Sequence, residues 1–516
     1  MSVDLTAGVS SRRLDQIVDA AALFERVSDG GRNLDRVLFE SAATATRLAE
    51  RSLIMSQAAV RVTCRNRDVE VRALADCGHP LVDRLVAGLE AGFPARVGTV
   101  GDAVVLAFDG RRPGGEDHER LTAITPIEVV RRITRLLDGP AIVPGIFGYD
   151  LVDHYESLPP PISDPLDFPD FVFWVPRRWV EIHPLEESAI ASIGSWEGAL
   201  PLEAELDDLC DDCKRAGETS HTARSIGSTA KPPVDVDLDD AEFAHRVESI
   251  GEHIHAGDLF QGVPSRTFMT ACDDAFGAYL ELRRSNPSPY MFFLTTPDGT
   301  LFGASPETAV KVDAETRRVE VGPLAGTRPR GRTPAGAIDP DLDNRLEADL
   351  RLSVKETAEH MMLVDLARND VARVSVAGTR QVENLLSVQR YSHVMHLGSR
   401  VTGTLRAELD SLHAYIAAMN MGTLVGAPKL EAMRVLRELE PTRRGPYGGA
   451  VGYLDTAGGL NTAITIRAGF VRDGVAYVRA GAGVVADSIP AAEADETRHK
   501  AAAVLEAIAR GGQGRP

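Results

Sequence analysis

Near the C-terminus, apolar and polar residues alternate with a period of two over 462–471 and again over 475–485, which predicts two strands. Arg472-Asp473-Gly474 lies between them and reads as the turn of a hairpin. Shorter strand-like runs occupy 60–64, 103–110, 142–151 and 171–184, among two or three helical stretches. Apolar residues return at helical spacing over 239–260 behind an acidic start, and the same period predicts helices over 355–374 and from 493 onward. Hairpins followed by long helices, without regular strand–helix alternation, predict an α+β fold with antiparallel sheets. From 214 to 237 the chain is rich in Ser, Thr, Gly and Pro and loses apolar periodicity. The predicted division is an N-terminal region 1–213, a linker 214–235 and a C-terminal region 236–516.

A chain of 516 residues exceeds what one core usually organises, so two domains or one large intermeshed body are expected. With 44% apolar and 25% charged residues it reads as a soluble globular enzyme. A formal charge of -19 excludes nucleic acid and an anionic membrane as the main partner. An anionic small substrate stays compatible, provided a metal and a few Arg or Lys side chains reverse the field locally. The N-terminal residues hold no apolar core of signal type, and no apolar run is long enough to span a bilayer. Five scattered cysteines make no disulfide framework, so a cytoplasmic location is expected. The lone pair Cys210-Asp-Asp-Cys213 reads as surface thiols on a linker helix.

Two pairs of acids change the picture. Glu356 and Glu359, and likewise Glu493 and Glu496, are three apart in predicted helices, so each pair shares a helical face. Either pair alone would be an ordinary solvated surface. The first borders an apolar face (Met362, Leu363, Leu366), and the second follows a glycine-rich strand end. Such acids suit a hard cation such as Mg²⁺, which takes carboxylate oxygens and leaves positions open for an anionic ligand. Several short runs read as functional loops: those of Gln261, Ser265 and Arg266, of Tyr290 and Glu307, and of Gly326 and Thr327. Thr423 and Lys429 lie in another, and His393 and His396 share one strand or turn. A lone histidine such as His396 is more often a satisfied core or loop residue, and the two histidines lack a third zinc ligand at a recognised spacing. The dense glycines of 443–453 and 480–485 would let backbone N–H groups approach a ligand. Dinucleotide, P-loop, zincin and nucleophile-elbow motifs are missing.

The order of these runs decides what spacing leaves open. GDLFQGVPSR, NPSPYMFF, FGASPE, AGTRPRG, KETAEHMMLVDLARND, RYSHVMHLGSRV, MNMGTLVGAPK, YGGAVGY and AGAGVVADSIPAAEADETRHKA follow one another from about 240 to 510. In this the chain resembles the chorismate-utilising enzymes, and specifically anthranilate synthase component I. VLFESA and FGYDLVDHYESLP extend a weaker similarity into the N-terminal half. The resemblance implies layered antiparallel sheets enclosing the site, outer helices, and an N-terminal portion that intermeshes with the catalytic one. It implies Mg²⁺ on Glu359 and Glu496, with Glu356 and Glu493 supporting its waters. Glu307 would be the general acid for the C4 hydroxyl of chorismate, and His396 the base for the C2 proton. Tyr447, Arg467 and the amides of Gly481, Ala482 and Gly483 would grip the enolpyruvyl carboxylate. Thr423 and Lys500 would assist with the two carboxylates, and Thr327 belongs to the substrate loop.

Water-adding relatives carry a lysine base where this chain has Gln261, a neutral amide without base strength. That implies amination at C2 to 2-amino-2-deoxyisochorismate. No glutaminase region is recognisable, so the implied partner is ammonia itself or a separate glutamine amidotransferase, in a homo- or hetero-oligomer. Four motifs depart from the usual pattern, at Gly262, at Gly322-Pro323-Leu324, at Val425 and at Ile464-Thr465-Ile466-Arg467-Ala468. Expected to line the pocket, they favour an enzyme that stops at the aminated intermediate, for a secondary product of antibiotic type, over one that continues to anthranilate for tryptophan biosynthesis. Glu40, Ser41, Pro289, Tyr290, Met291 and Tyr453 resemble the family's tryptophan inhibitor pocket, with Phe39 replacing a usual leucine.

Overall fold

The computed structural model describes residues 4–6, 8–16, 18–41, 51–89, 93–109, 114–196, 202–218, 232–334, 336–391 and 394–513. Within them, strand pairing is antiparallel and links 23 strands into one continuous network, beside a small pair formed by Gln261–Gly262 and Gly426–Ala427. Helices cover its outer faces, so the α+β expectation holds. The longest ladder joins Ser52–Arg65 to Phe171–His183. Both strands are buried or nearly so along their length, as strands covered on both faces are. The N-terminal and C-terminal regions share the sheet. Arg36–Glu40 pairs with Tyr290–Thr296, and Ile142–Phe147 pairs with Ala450–Asp455.

Local chemistry sets the helix bounds. Asp240–Ala256 opens on a capping box of Asp239 and Glu242 and ends at Gly257, whose φ of 86° is the left-handed conformation that glycine adopts without strain. It buries Phe243, Val247 and Ile250, one helical stripe. Val354–Ala372 starts where Ser353 accepts from the Glu356 N–H. Pro490–Gly511 carries Pro at its start and buries Ala494, Thr497, Ala501, Val504 and Ile508 against the sheet. Arg266, 1% exposed, fixes the first turns of this helix by donating to Thr497 Oγ1 and to the Ala494 carbonyl, at 2.9 Å each. Arg266 is therefore an anchor that sets where Glu493 and Glu496 stand.

The predicted hairpin is present: Arg472 faces Val475, and Asp473 and Gly474 both have positive φ, the type I′ geometry. Its first strand, predicted as continuous, is broken. Leu460–Ile464 and Ala468–Arg472 are separate strands, and Arg467 between them has φ 51°. That conformation costs about 1 kcal/mol or more for a residue with a Cβ. It is held by the Ala304 N–H on the Arg467 carbonyl (3.1 Å) and by the Arg467 guanidinium on the Lys500 carbonyl (3.0 Å).

Two other expectations change. Cys210 and Cys213 are buried, not surface thiols. Helix Glu203–Glu218 turns both toward the core, and burial raises both thiol pKa values. Of the predicted linker, 219–231 lies outside the described residues; 214–218 continues that helix, and Asp235–Val236 pairs with Met269 and Phe268. Among the described residues, no helix is long and apolar enough to cross a membrane.

Candidate active site

The two glutamate helices meet over a cavity of ≈ 510 Å³, floored by the ends of strands Val394–Thr404, Leu324–Pro329 and Val475–Gly481. Glu356 and Glu359 line it from one helix, Glu496 and Lys500 from the other. Gln261, Glu307, Thr327, His396 and Thr423 line it too, as do Tyr447, Arg467, Gly481 and Gly483. Two expected residues stand behind the wall. Ala482 is fully buried, and Glu493 is buried beside the cavity without lining it. Lys355, Arg479 and His499 line the cavity and were not singled out in the sequence. Arg479 was findable: strand alternation puts 479 and 481 on one face.

The glycines matter where the walls are tight. A Cβ at Gly481 would lie 2.7 Å from the Pro264 carbonyl and 2.9 Å from the Tyr447 hydroxyl. Gly326, at φ 64°, brings its carbonyl to His396 Nδ1 at 2.9 Å. A carbonyl only accepts, so Nδ1 carries the proton and Nε2 keeps its lone pair. Thr327 Oγ1 sits 3.1 Å from the same Nδ1. Burial lowers His396 to a pKa of about 4, which keeps the ring neutral at physiological pH.

Glu307 shows the opposite displacement. It is 6% exposed, and burial raises its carboxyl to about 8, against weaker opposing hydrogen bonds from the Leu324 N–H and Thr423 Oγ1. The group is protonated near neutral pH, and Thr423 Oγ1 lies 3.2 Å from its Oε1. Arg467 is partly buried, with its pKa lowered by desolvation, and its guanidinium donates to the Lys500 backbone carbonyl. A partly buried guanidinium lining the cavity is a ready receptor for a carboxylate. Lys500 Nζ binds the Gly481 carbonyl at 2.9 Å and Glu496 Oε1 at 2.7 Å.

The acids offer the oxygen donors that a divalent cation takes, without forming a tight ligand cluster among the described residues. Burial raises Glu359 and Glu493, so their charged forms want a counter-ion. Glu493 Oε2 is buried without a hydrogen-bond partner. Protein groups hold the others: Arg328 at Glu356 (3.0 Å), Gln261 Nε2 at Glu359 (2.9 Å) and Lys500 at Glu496. Among the described residues the one tight His/Cys/carboxylate cluster is elsewhere: Cys64, His154 and Asp170. Asp170 there already takes bonds from Arg443, His154 and the Asn66 N–H, so its charge is spent. Lys429 is likewise structural, bound to Asp370 at 2.8 Å. His393 lies outside the described residues.

A second cavity of ≈ 530 Å³ gathers Glu40, Ser41, Pro289, Tyr290, Met291 and Tyr453. Pro306 and Leu324 line both cavities, so one wall separates them. Of the departures from the family pattern, Leu324 lines the catalytic cavity, whereas Gly262, Gly322, Val425 and Ala468 do not, contrary to expectation. Gly262 faces Ile250, where a Cβ would come within 2.9 Å. Gly322 lines the second cavity, Val425 is fully buried in the core, and Ala468 lines a separate pocket of ≈ 230 Å³.

Comparison with known proteins agrees with this geometry. The family model described as chorismate binding enzyme matches residues 89–506. The pyocyanine-specific anthranilate synthase component 1 of Pseudomonas aeruginosa is 49% identical over 482 residues, covering 92% of this chain and 90% of that one. Anthranilate synthase component 1 of Escherichia coli is 43% identical over 483 residues, covering 92% of each. Among solved structures, anthranilate synthase component I of Streptococcus pneumoniae superposes with a TM-score of 0.67 at 28% identity, covering 89% of this chain and 92% of that chain. The menaquinone-specific isochorismate synthase of Escherichia coli, at 16% identity and a TM-score of 0.62 over 99% of this chain and 96% of that chain, shares the fold. The chain belongs to the chorismate binding enzyme family.

Proposed function

We propose that this enzyme aminates chorismate at C2 with ammonia and then eliminates pyruvate, releasing anthranilate. One observation carries the reading: a single cavity holds a carboxyl raised to about 8 and an imidazole lowered to about 4. Titratable groups pushed apart in this way divide into an acid and a base at one working pH. The ammonia lone pair forms the N–C2 bond, the ring double bonds shift, and the C4 hydroxyl leaves as water with the proton of Glu307. The new ammonium then loses a proton, which restores the balance. In the second step His396 Nε2 takes the C2 proton, the C3–O bond breaks, and the departing enol becomes pyruvate. Arg467, Lys500 and the amide of Gly483 face the cavity where substrate carboxylates would be held.

Mg²⁺ would be held by Glu359 and Glu496, with Glu356 and Glu493 behind them, and would neutralise the ring carboxylate as a Lewis acid. Ammonia would come from a separate glutamine amidotransferase. All five cysteines of this chain are buried, and burial raises the pKa of four of them, Cys64, Cys210, Cys213 and Cys272. A nucleophilic thiol needs the reverse. Release of 2-amino-2-deoxyisochorismate is the competing outcome. Its physical motive weakens here, because Gly262, Gly322, Val425 and Ala468 lie outside the catalytic cavity, and Leu324, which lines it, exchanges one branched aliphatic side chain for another. The second cavity would be the place where tryptophan acts. Incubating the purified chain with chorismate, Mg²⁺ and an ammonium salt tests the proposal: anthranilate and pyruvate in equal amounts are expected. Chorismate consumption with an aminated product and no pyruvate would show the arrested enzyme instead.

A further inference from the structure

Among the described residues, four Lys or Arg side chains line the catalytic cavity: Lys355, Arg467, Arg479 and Lys500. Three are already engaged. Arg479 is buried and gives its guanidinium to Ser265, Thr442 and Glu440. Lys500 binds Glu496 and the Gly481 carbonyl, and Arg467 binds the Lys500 carbonyl. Lys355 is exposed and makes no hydrogen bond or ion pair among the described residues. Its place in the chain makes that freedom costly. Lys355 is the second residue of helix Val354–Ala372, just behind the Ser353 cap, where the helix dipole presents its positive end and a cation is disfavoured. Glu359, one turn on, is held by Gln261 instead. The Lys355 charge still reaches both glutamate helices, favouring the charged forms of Glu359 on its own helix and of Glu493 on the facing one. An exposed side chain that lines the cavity between two such helices stands at its rim.

A substrate with two carboxylates meets an adverse field on its way in. The chain carries a formal charge of -19, and Glu356, Glu359 and Glu496 line the cavity itself. The geometry points to Lys355 as the capture residue for that dianion, its ammonium meeting a chorismate carboxylate at the rim, ahead of the partly buried Arg467. The inference rests on the chorismate reading of the cavity. Lys355 breaks no bond when it takes an anion, whereas Lys500 has to leave Glu496. A compact charge on a flexible stem also attracts either carboxylate without imposing one orientation. Capture of this kind speeds encounter and tightens early binding without touching the reacting atoms, so it acts on kcat/KM and not on kcat.

Steady-state kinetics of the full chain test the assignment, with chorismate varied at saturating Mg²⁺ and one fixed concentration of ammonium salt. Lys355→Met keeps the stem and removes the charge. At low ionic strength its kcat/KM for chorismate is expected to fall about fivefold or more, with kcat within about twofold of wild type. The gap should close as KCl is raised to ~0.5 M, because screening removes what the charge supplied. Lys355→Arg should restore kcat/KM to within about twofold of wild type, and Lys355→Glu should fall below Lys355→Met. Lys214→Met removes the same charge from an exposed position of helix Glu203–Glu218, away from the cavity, and should behave as wild type. Unchanged kcat/KM in Lys355→Met, a loss carried by kcat, a loss that salt leaves as it is, or an equal loss in Lys214→Met overturns the capture role and leaves the chorismate reading standing. A wild-type chain that does not consume chorismate overturns both.

Discussion

The catalytic cavity and the second cavity have nearly the same volume and share the wall of Pro306 and Leu324, but their charges are treated differently. In the second cavity the ionised side chains answer one another, and the buried atom left without a partner, Asn461 Oδ1, is a neutral one. Glu40 takes Tyr279 (3.0 Å) and Arg283 (2.6 Å), Arg51 takes Glu181 (2.9 Å) and the Tyr453 ring, and Arg400 takes Glu320 (3.0 Å). In the catalytic cavity and the wall behind it, polar groups are left short: Gln261 Oε1 and Glu493 Oε2 have no partner, and Glu307 holds a proton it would shed in water. Satisfied charges make a stable wall. Unsatisfied ones store free energy that a substrate, a cation or a transition state can recover, which is why perturbed groups collect at reactive sites.

Substitutions should separate the two cavities by what they damage. The largest loss is expected from Glu359→Gln or Glu496→Gln, which should lower Mg²⁺-dependent turnover by at least ~10³-fold with little change in melting temperature. Turnover that persists with its Mg²⁺ dependence intact would remove those acids from the account. His396→Ala should cut pyruvate release by on the order of 10²–10⁴-fold while chorismate is still aminated, so the intermediate accumulates and can be seen by chromatography. Equal loss of both steps would give His396 another role.

Glu307→Gln tests the acid, and stability gives a second readout. Folded protein holds a proton on Glu307 up to about 8, whereas the unfolded chain releases it near the ordinary carboxyl value of 4.5. Native binding of the extra proton means that stability present at low pH is lost as pH rises from about 4.5 through 8. That linked loss is on the order of 5 kcal/mol for a group this buried. Denaturant titrations without metal or substrate should show the slope in wild type and not in Glu307→Gln. Parallel slopes would mean that another group carries it. The smallest catalytic effect belongs to the second cavity. Glu40→Ala should leave kcat within about twofold but cost about 2 kcal/mol of stability, since Tyr279 loses its acceptor and Arg283 keeps only Asp19. Inhibition by graded tryptophan, present in wild type and weakened in this variant, would assign the cavity its ligand; wild type unaffected by tryptophan would remove that assignment.

Much of the catalytic cavity was legible because helical and strand periods place side chains without a structure. Glu356 with Glu359 is such a case, and so is the face shared by Arg479 and Gly481. Cys210 and Cys213 were misread although the rule was available. Three apart on a helix, they share one face, and the intervening Asp211 and Asp212 need not follow them outward. The break at Arg467 was not legible, because Thr465, Ile466 and Ala468 continue the strand pattern and the turn is imposed by Ala304 and Lys500, both distant in sequence. Nor could spacing tell which cavity Gly322 joins. It lies just before Leu324, the residue that divides them. Glu493 stands one turn from Glu496, yet it is buried beside the cavity, a difference set by how the Arg266 anchor rotates the helix.

Everything in the proposed chemistry requires Glu307 to be a protonated acid beside a neutral His396. Difference infrared spectroscopy of wild type against Glu307→Gln, titrated over pH, measures that state directly. The account predicts a carboxylic acid carbonyl band present near neutral pH and vanishing as the pH passes about 8. A carboxylate already formed near its ordinary value of 4.5 would contradict it.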